Sequence, residues 1–284
     1  MEASELSLRT RAIAQLADVV QAMRTLASAR RRQAQERSSG LTRYAVATQA
    51  VLAHALALLG PGAEPVLTVP PEARRVVALF SEHGFVGPLN DRILDEAIAL
   101  ARARDARLVV VGSRGRRLCR ERGIDAEDGG AMPTTLAAVQ ATAGRLIDSL
   151  FGAVAEGNLG ESHVVFAEHR PPLGWAPRAL RLFPPEITVA PGADARERPI
   201  HTLPSRVLVV RAVEENAFAQ VSWAVGEAFA SEQSARFVAM DAARHHIDTK
   251  LEELRALERT LRQETVTNEI LEIASGAELV RGAS

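Results

Sequence analysis

Long helical patterns at both ends of the chain constrain its fold more than any other feature. From about residue 6 to residue 59, apolar side chains recur alternately three and four positions apart, the spacing of a helix with an apolar seam. At about 1.5 Å per residue this helix would be roughly 80 Å long. The predicted seam consists of Ile13, Leu16, Val20, Met23, Ala27, Ala34, Leu41, Tyr44, Val51, Ala55 and Leu58, interrupted by Arg30, Arg37 and Thr48.

The second long pattern covers residues 214–279, which contain no proline. It predicts a helix of roughly 65 residues, about 95 Å long. Helices of this length cannot bury an apolar face against a small sheet alone, so we expect the two terminal helices to pair in antiparallel fashion. The predicted seam of this helix consists of Leu251, Leu254, Leu261, Val266, Ile270, Ile273, Ala277 and Val280.

Between the two helices, short β-branched runs at residues 76–80, 108–111 and 164–166 predict buried strands. Helical patterns at residues 89–103 and 134–151 separate these runs, and this alternation is typical of a parallel sheet with crossover helices. The middle of the chain is therefore predicted to be an α/β sheet domain.

Two weaker strand candidates lie at residues 187–190 and 207–210, and the proline-rich segment 171–204 is predicted to be a mobile loop. The fold class predicted is α/β: a long antiparallel coiled coil of N- and C-terminal helices plus a Rossmann-like α/β globular domain. The predicted parts are an N-terminal coiled-coil helix at 1–60, the α/β domain at 74–210 and a C-terminal coiled-coil helix at 214–284.

Composition excludes several classes of function. The formal charge of −1 and the pI near 6.7 argue against bulk attraction to nucleic acid or membrane. A lone cysteine, Cys119, cannot close an intramolecular disulfide, and no Cys/His spacing matches a metal or haem site, so no cofactor is expected. No apolar run approaches the roughly 20 residues that span a bilayer, so membrane association is expected only through partners.

Residues 81–90 follow a predicted strand and open a predicted helix, which is where phosphate-binding loops lie. The segment lacks both the three-glycine dinucleotide pattern and the glycine-lysine-serine P-loop, so its glycines are interpreted as turn residues. Ser81, Glu82 and His83 are neighbours in sequence and are not expected to form a catalytic triad.

Several blocks of the chain resemble the γ subunit of F-type ATP synthases. Residues 230–240 resemble the family's ASEQxARMxAM stretch, and residues 262–277 match its RQxxITxEIxEIVxGA signature. Near the N-terminus, Ala22, Met23, Leu26, Ala27 and Arg30 lie where the family has AMxxVAxxK. The chain is identified as a divergent bacterial member, because its 81–90 segment departs from the family's DRGLCGxLN loop at most positions. Such divergence is also typical of the alternative, often sodium-linked, ATPase branch, and both branches stay open.

The resemblance implies a central-stalk rotor subunit that transmits torque between an ion-driven membrane ring and a catalytic α/β hexamer. It implies no catalysis by the chain itself. The implied partners are the ATP synthase α and β subunits, the ε subunit and the membrane c ring, with no nucleic acid. The implied location is peripheral, on the cytoplasmic face of the bacterial plasma (inner) membrane.

The same resemblance implies which residues contact partners. Arg262 and Gln263 are expected to form a catch against acidic loops of the β subunit, the apolar tip beyond them is expected to act as a bearing, and basic residues of the first helix are expected to line a collar. The implied contact residues are Arg30, Arg31, Arg262, Gln263, Thr267, Glu269, Ile273 and Val280.

Two other interpretations are compatible with the residues alone. The chain could be a soluble α/β enzyme with helical dimerisation arms, which would bind a ligand at residues 84–90. It could also be a coiled-coil adaptor that binds nucleic acid through residues 30–32, with an affinity that depends on salt.

Overall fold

The computed structural model describes residues 3–59, 73–156, 160–170, 174–186 and 201–282, with side chains as far as Leu271. Two long helices, α1 (Ala3–Ala57) and α5 (Ser205–Gly282), flank a five-stranded sheet. By contacts between residues the chain divides into two compact units. The first comprises Met1–Leu26 and Ala239–Ser284, and the second comprises Ala27–Val238, so each long helix contributes to both units.

The first unit is a pair of antiparallel helical segments. Arg24 of α1 forms an ion pair with Asp241 of α5 (Nε to Oδ1, 2.7 Å). Earlier in α1, the carbonyl of Ala17 accepts a hydrogen bond from Arg244, which lies later in α5 (3.1 Å). The buried apolar residues of this unit are Leu6, Ala17 and Val20 of α1 with Met240, Leu251 and Leu254 of α5.

The second unit contains the sheet, with strands β1 (Arg75–Leu79), β2 (Arg107–Val111), β3 (Glu127–Asp128), β4 (Ser162–Arg170) and β5 (Gly174–Phe183). The spatial order is β3-β2-β1-β4-β5, with the first four strands parallel and β5 antiparallel to β4. The connecting helices are α2 (Leu89–Arg104), α3 (Ser113–Glu121), a short 3₁₀ helix (Leu136–Ala138) and α4 (Val139–Ala155).

Alternate residues of β1 point to two different cores, as the pleat of a strand requires. Val77 and Leu79 belong to a core shared with α1, α4 and α5. Val76 and Ala78 belong to a core shared with α2. Both faces of the strand are therefore covered, which explains why its sequence is apolar throughout rather than alternating.

The long helices also run antiparallel within the second unit. Ser38 of α1 donates a hydrogen bond to the Glu227 carboxylate of α5 (2.5 Å), and Asn216, earlier in α5, donates to Thr48, later in α1 (3.3 Å). Long terminal helices paired in this way around an α/β sheet confirm the predicted fold class.

The predicted strands at 76–80, 108–111 and 164–166 are confirmed as β1, β2 and β4. The predicted helix at 89–103 is α2, and the pattern at 134–151 corresponds to the 3₁₀ helix followed by α4. The strand candidate at 187–190 lies outside the described residues. The three-part division at 1–60, 74–210 and 214–284 stays a prediction.

The predicted strand at 207–210 is wrong, because these residues belong to the first turns of α5. Val207 is 45% exposed whereas Val209 is 1% exposed, so the run is buried on one helical face. The β-branched run favoured a strand locally, but packing on the sheet stabilises a helix that begins at Ser205 instead of about residue 214. The predicted loop at 171–204 is also wrong in part, because residues Gly174–Phe183 form β5.

The predicted seam of α1 is correct at alternate positions only. Val20 is buried as predicted, but Leu16 and Val51 are 52% and 55% exposed. Ala17 and Leu52, one residue further along, are buried in their place. Two apolar rows lie side by side on α1, and the spacing along the chain does not determine which of the two rows is buried.

Candidate partner-contact surface

The described end of α5 presents a continuous exposed surface. All side chains from Arg262 to Leu271 are exposed, including the apolar Val266, Ile270 and Leu271 at 47%, 60% and 58%. The seam prediction is therefore confirmed at Leu251 and Leu254, which are buried, and wrong at Val266 and Ile270, which are exposed. Apolar side chains left exposed at helical spacing are candidate contacts for another protein.

Four of the predicted contact residues lie on this surface. Arg262, Gln263, Thr267 and Glu269 are exposed, and the Thr267 hydroxyl donates to the Gln263 carbonyl of the same helix (2.8 Å). The helix continues to Gly282, but the side chains of Ile273 and Val280 lie outside the described residues. The structure therefore brings together the polar contact residues of the tip along about two turns of one helix.

The predicted basic collar lies on α1 in the second unit. Arg30 and Arg31 are half-buried and Arg32 is exposed. The Arg31 guanidinium lies 5.4 Å from the centre of the Phe237 ring on α5, a cation–π distance. Arg31 therefore already has an intramolecular neighbour, and its contact with a partner stays a prediction.

A second apolar row on α1 was not recognised as a separate surface. Within the first unit, Leu8, Leu16, Val19 and Leu26 are each more than half exposed. Only Leu16 of these was assigned, and it was assigned to the buried seam. Two apolar rows on one helix are the sequence signal that distinguishes a helix with two partners from a helix with one.

The carboxyl edge of the sheet holds a carboxylate where an α/β protein would bind a phosphate. Glu82 accepts hydrogen bonds from the backbone N–H groups of Ser113 (3.2 Å) and Met132 (2.9 Å), and from the Ser113 hydroxyl. Burial by itself raises the pKa of Glu82, but these hydrogen bonds and the charge of Arg116 together lower it below its ordinary value. An internal anion therefore already occupies the N-terminus of α3.

The neighbouring side chains are likewise satisfied within the fold. Asn90 accepts a hydrogen bond from the backbone N–H of Ser81 (3.0 Å) and donates to the Ser81 hydroxyl (2.9 Å). The Ser81 hydroxyl in turn donates to the carbonyl of His83 (2.8 Å). The Ser81 hydroxyl thus bonds the backbone of His83 rather than its ring, and the Glu82 carboxylate bonds Ser113 and Met132.

Among the described residues, no group of three His, Cys, Asp or Glu side chains could hold a metal ion. Cys119 is buried, and burial raises the pKa of its thiol. Within the same ranges, no helix combines the length and the apolar character required to cross a bilayer.

Comparison with known proteins identifies the family of the chain. The family model for ATP synthase matches residues 2–280. The ATP synthase gamma chain of Beutenbergia cavernae is 30% identical, with 95% of each chain covered. The gamma chain of Desulfosudis oleivorans is 28% identical over 298 residues, with 98% of each chain covered.

Solved structures show the same fold. A chain of the Euglena gracilis mitochondrial ATP synthase structure that contains OSCP, F1 and the c-ring aligns with a TM-score of 0.69 at 14% identity, covering 99% of this chain and 95% of that one. A chain of the rotor structure from the same organism aligns with a TM-score of 0.63 at 12% identity, covering 93% of this chain and 98% of that one.

The chain therefore belongs to the ATP synthase family. Within that family its role is that of the gamma chain, the central-stalk subunit of the F1 rotary complex. It is a non-catalytic part of a membrane-associated complex, and its partners are other subunits of the synthase.

Proposed function

We propose that this central-stalk subunit works as a rotor that transmits torque between an ion-driven membrane ring and a catalytic α/β hexamer. The observation that carries the proposal is the exposed end of α5, where every side chain from Arg262 to Ile270 is exposed. Apolar groups there supply contact area without directional bonds. Interspersed polar groups supply a limited number of directional bonds.

Asymmetry of the chain provides the physical mechanism. A single helical shaft inside a ring of three catalytic pairs presents a different face to each catalytic subunit at any moment. Each face stabilises a different conformation of the subunit that it contacts, because contact free energies differ between conformations. Rotation then changes the nucleotide affinity of the three sites one after another. Because the coupling between rotation and nucleotide binding is reciprocal, nucleotide hydrolysis drives rotation in the opposite direction.

Arg262 and Gln263 are proposed to form the catch. A guanidinium offers forked hydrogen bonds to a carboxylate, and an amide offers an NH₂ donor group and a carbonyl acceptor, so the pair favours one angle and yet releases under load. Thr267 and Glu269 are proposed to extend this contact. Their hydroxyl and carboxylate lie one to two turns further along the same exposed helix.

Beyond the catch, the tip is proposed to act as a bearing. Ile270 is exposed and apolar, and the sequence places Ile273 and Val280 at continuing seam positions. Such a surface makes few directional bonds, so it offers little resistance to slipping.

A collar formed by Arg30 and Arg31 is proposed to contact the hexamer from the second unit. Positive groups at this level would pair with acidic loops of the α and β subunits. The Arg31 contact with Phe237 would orient the guanidinium rather than neutralise it, since an aromatic ring carries no net charge.

The remaining proposed partners are the ε subunit and the membrane c ring. Their binding would hold the chain on the cytoplasmic face of the bacterial inner membrane. The names of the bacterial relatives and the helical fold support this assignment.

The catch is tested by replacing Arg262 and Gln263 with alanine in the assembled synthase. We expect ATP turnover coupled to ion movement to fall by roughly tenfold, the effect of about 1.4 kcal/mol, because the directional bonds are lost. Assembly should persist, since neither side chain supports the fold. Arg211→Ala is the matched control, because Arg211 is a 73% exposed arginine on the same helix in the other unit. Turnover that matches this control in the double variant would refute the catch.

A further inference from the structure

One stretch of α5 forms polar contacts with the carboxyl end of strand β4 and with the loop that follows β1. The Ser231 hydroxyl donates to the Ala167 carbonyl of β4 (2.8 Å), and the Glu227 carboxylate accepts the backbone N–H of His169 (3.0 Å). About one turn of α5 therefore follows the edge of the sheet with side chains that bond backbone groups of β4.

At the end of this stretch, Arg236 reaches the loop that joins β1 to α2. Its Nε donates to the Gly84 carbonyl and its Nη2 to the His83 carbonyl, both at 3.2 Å. The same Nη2 lies 2.6 Å from the Glu232 carboxylate, and Nη1 donates to the Gln233 side chain at 3.2 Å. Every nitrogen of the guanidinium is thus used.

Glu232 also bonds the β1–α2 loop, as an acceptor. Its second carboxylate oxygen accepts the backbone N–H of Glu82 at 3.4 Å. The side chains of Glu232 and Arg236 are only 3% and 7% exposed, so this ion pair is withdrawn from water. Three consecutive residues, 82–84, are consequently bonded to one pair of side chains on α5.

The loop itself has an uncommon conformation. Phe85 has φ +62° and Gly87 has φ +56°, and a bulky residue at positive φ is held there only when its surroundings determine it. Phe85 is also 64% exposed, so its own side chain provides little of that restraint. The bonds from Arg236 to the two preceding carbonyls therefore add to the restraint that the Ser81 hydroxyl places on the His83 carbonyl.

The buried ion pair of Glu232 and Arg236 is not an efficient way to stabilise the fold. Desolvation of two charges offsets much of their attraction, and apolar residues of similar size often stabilise a fold equally well. Apolar residues could not, however, bond the His83 and Gly84 carbonyls. The geometry therefore favours orientation of the loop as the role of the pair.

We propose that Arg236, oriented by Glu232, is a positioning residue that fastens the β1–α2 loop to α5, so that the loop turns with the helix instead of yielding to load. This inference rests on the proposed rotor function. It adds an attachment between α5 and the β1–α2 loop inside the second unit, separate from the contacts that the chain makes with partners.

The mobility of the loop provides the first test. A nitroxide label is attached to the purified full chain at position 85 through Phe85→Cys. Cys119 does not compete, because it is buried and its thiol pKa is raised. In this background Arg236→Met should shorten the rotational correlation time of the label at least threefold. Arg211→Met, the control on the same helix, should leave the spectrum unchanged. An unchanged spectrum in Arg236→Met overturns the proposal.

Coupling provides the second test, without the label. In the assembled synthase, Arg236→Met should lower the number of ions moved per ATP hydrolysed at least twofold, with hydrolysis per complex retained. A merely structural role would lower the thermal midpoint and leave this ratio unchanged, and that result overturns the proposal. If Arg236→Met does not fold, Arg236→Lys replaces it in this test. Lysine retains the charge but only part of the donor set, so we expect an intermediate decrease in the ratio of ions to ATP. An unchanged ratio would contradict the proposal.

The two proposals fail in different ways. If the chain is not a rotor, the label responds to Arg236→Met but neither this variant nor the Arg262 and Gln263 variant alters coupling. If only the proposed role of Arg236 is wrong, the Arg262 and Gln263 variant still lowers coupling while Arg236→Met does not.

Discussion

Replacement of Gly115 by alanine should destabilise the second unit through overpacking. A Cβ at Gly115 of α3 would lie 2.8 Å from Val110 Cγ1 and still closer to the ring of Phe80. Phe80 is 1% exposed, so the ring has no solvent into which it can move. We assign about 3 kcal/mol to this clash, the upper end of the usual range for overpacking. The better helix propensity of alanine offsets about 1 kcal/mol, which leaves about 2 kcal/mol.

Urea unfolding followed by tryptophan fluorescence measures this change. The chain has two tryptophans, Trp175 and Trp223, and both belong to the second unit. With an m-value of about 2 kcal/mol per molar urea, the midpoint for Gly115→Ala should fall by about 1 M.

Gly144→Ala is the matched control, because Gly144 also lies within a helix of this unit but a Cβ there meets no atom within 4 Å. We expect this variant to be stabilised by about 0.5–1 kcal/mol. A Gly115→Ala midpoint at or above that of the unsubstituted chain would refute the packing described for Phe80. Equal destabilisation by both substitutions would show that the steric explanation is wrong.

Two further outcomes follow from the structure. Leu52→Ala should cost about 2–5 kcal/mol because Leu52 is 1% exposed, whereas Val51→Ala should change stability by less than about 0.5 kcal/mol; equal effects in urea unfolding would refute the assigned seam. Burial lowers the pKa of His169 despite the opposing charge of Glu227, so its contribution to stability is complete above about pH 6.5 and is lost as pH falls below that value. Between pH 7.5 and 5.5 the free energy of unfolding of the unsubstituted chain should therefore fall more than that of His169→Gln. An equal fall would contradict the lowered pKa of His169.

Much of the fold was predictable because its signals are local. The apolar runs of β1, β2 and β4 are buried on both faces, so their sequences are apolar without interruption and identify them as strands. The terminal helices are long enough that their periodicity is clear even where single residues deviate. The motifs at 230–240 and 262–277 indicated the family without any coordinates.

Other features depend on residues that are distant in sequence, and only the tertiary structure could decide them. Residues 207–210 have strand-like composition, but their packing against the sheet stabilises a helix. The choice between Leu16 and Ala17 depends on which row faces α5, and that is a property of two helices together.

The same distinction applies to the functional surface. The sequence by itself determined that the chain has two long helices, the parallel strands β1, β2 and β4, and a gamma-chain tip, since each of these is encoded by neighbouring residues. The tertiary structure decided that Glu82 occupies the anion position of the sheet and that Arg236 bonds a loop more than 150 positions earlier in the chain. Hydrogen bonds depend on distances in space, and spacing along the chain does not determine those distances.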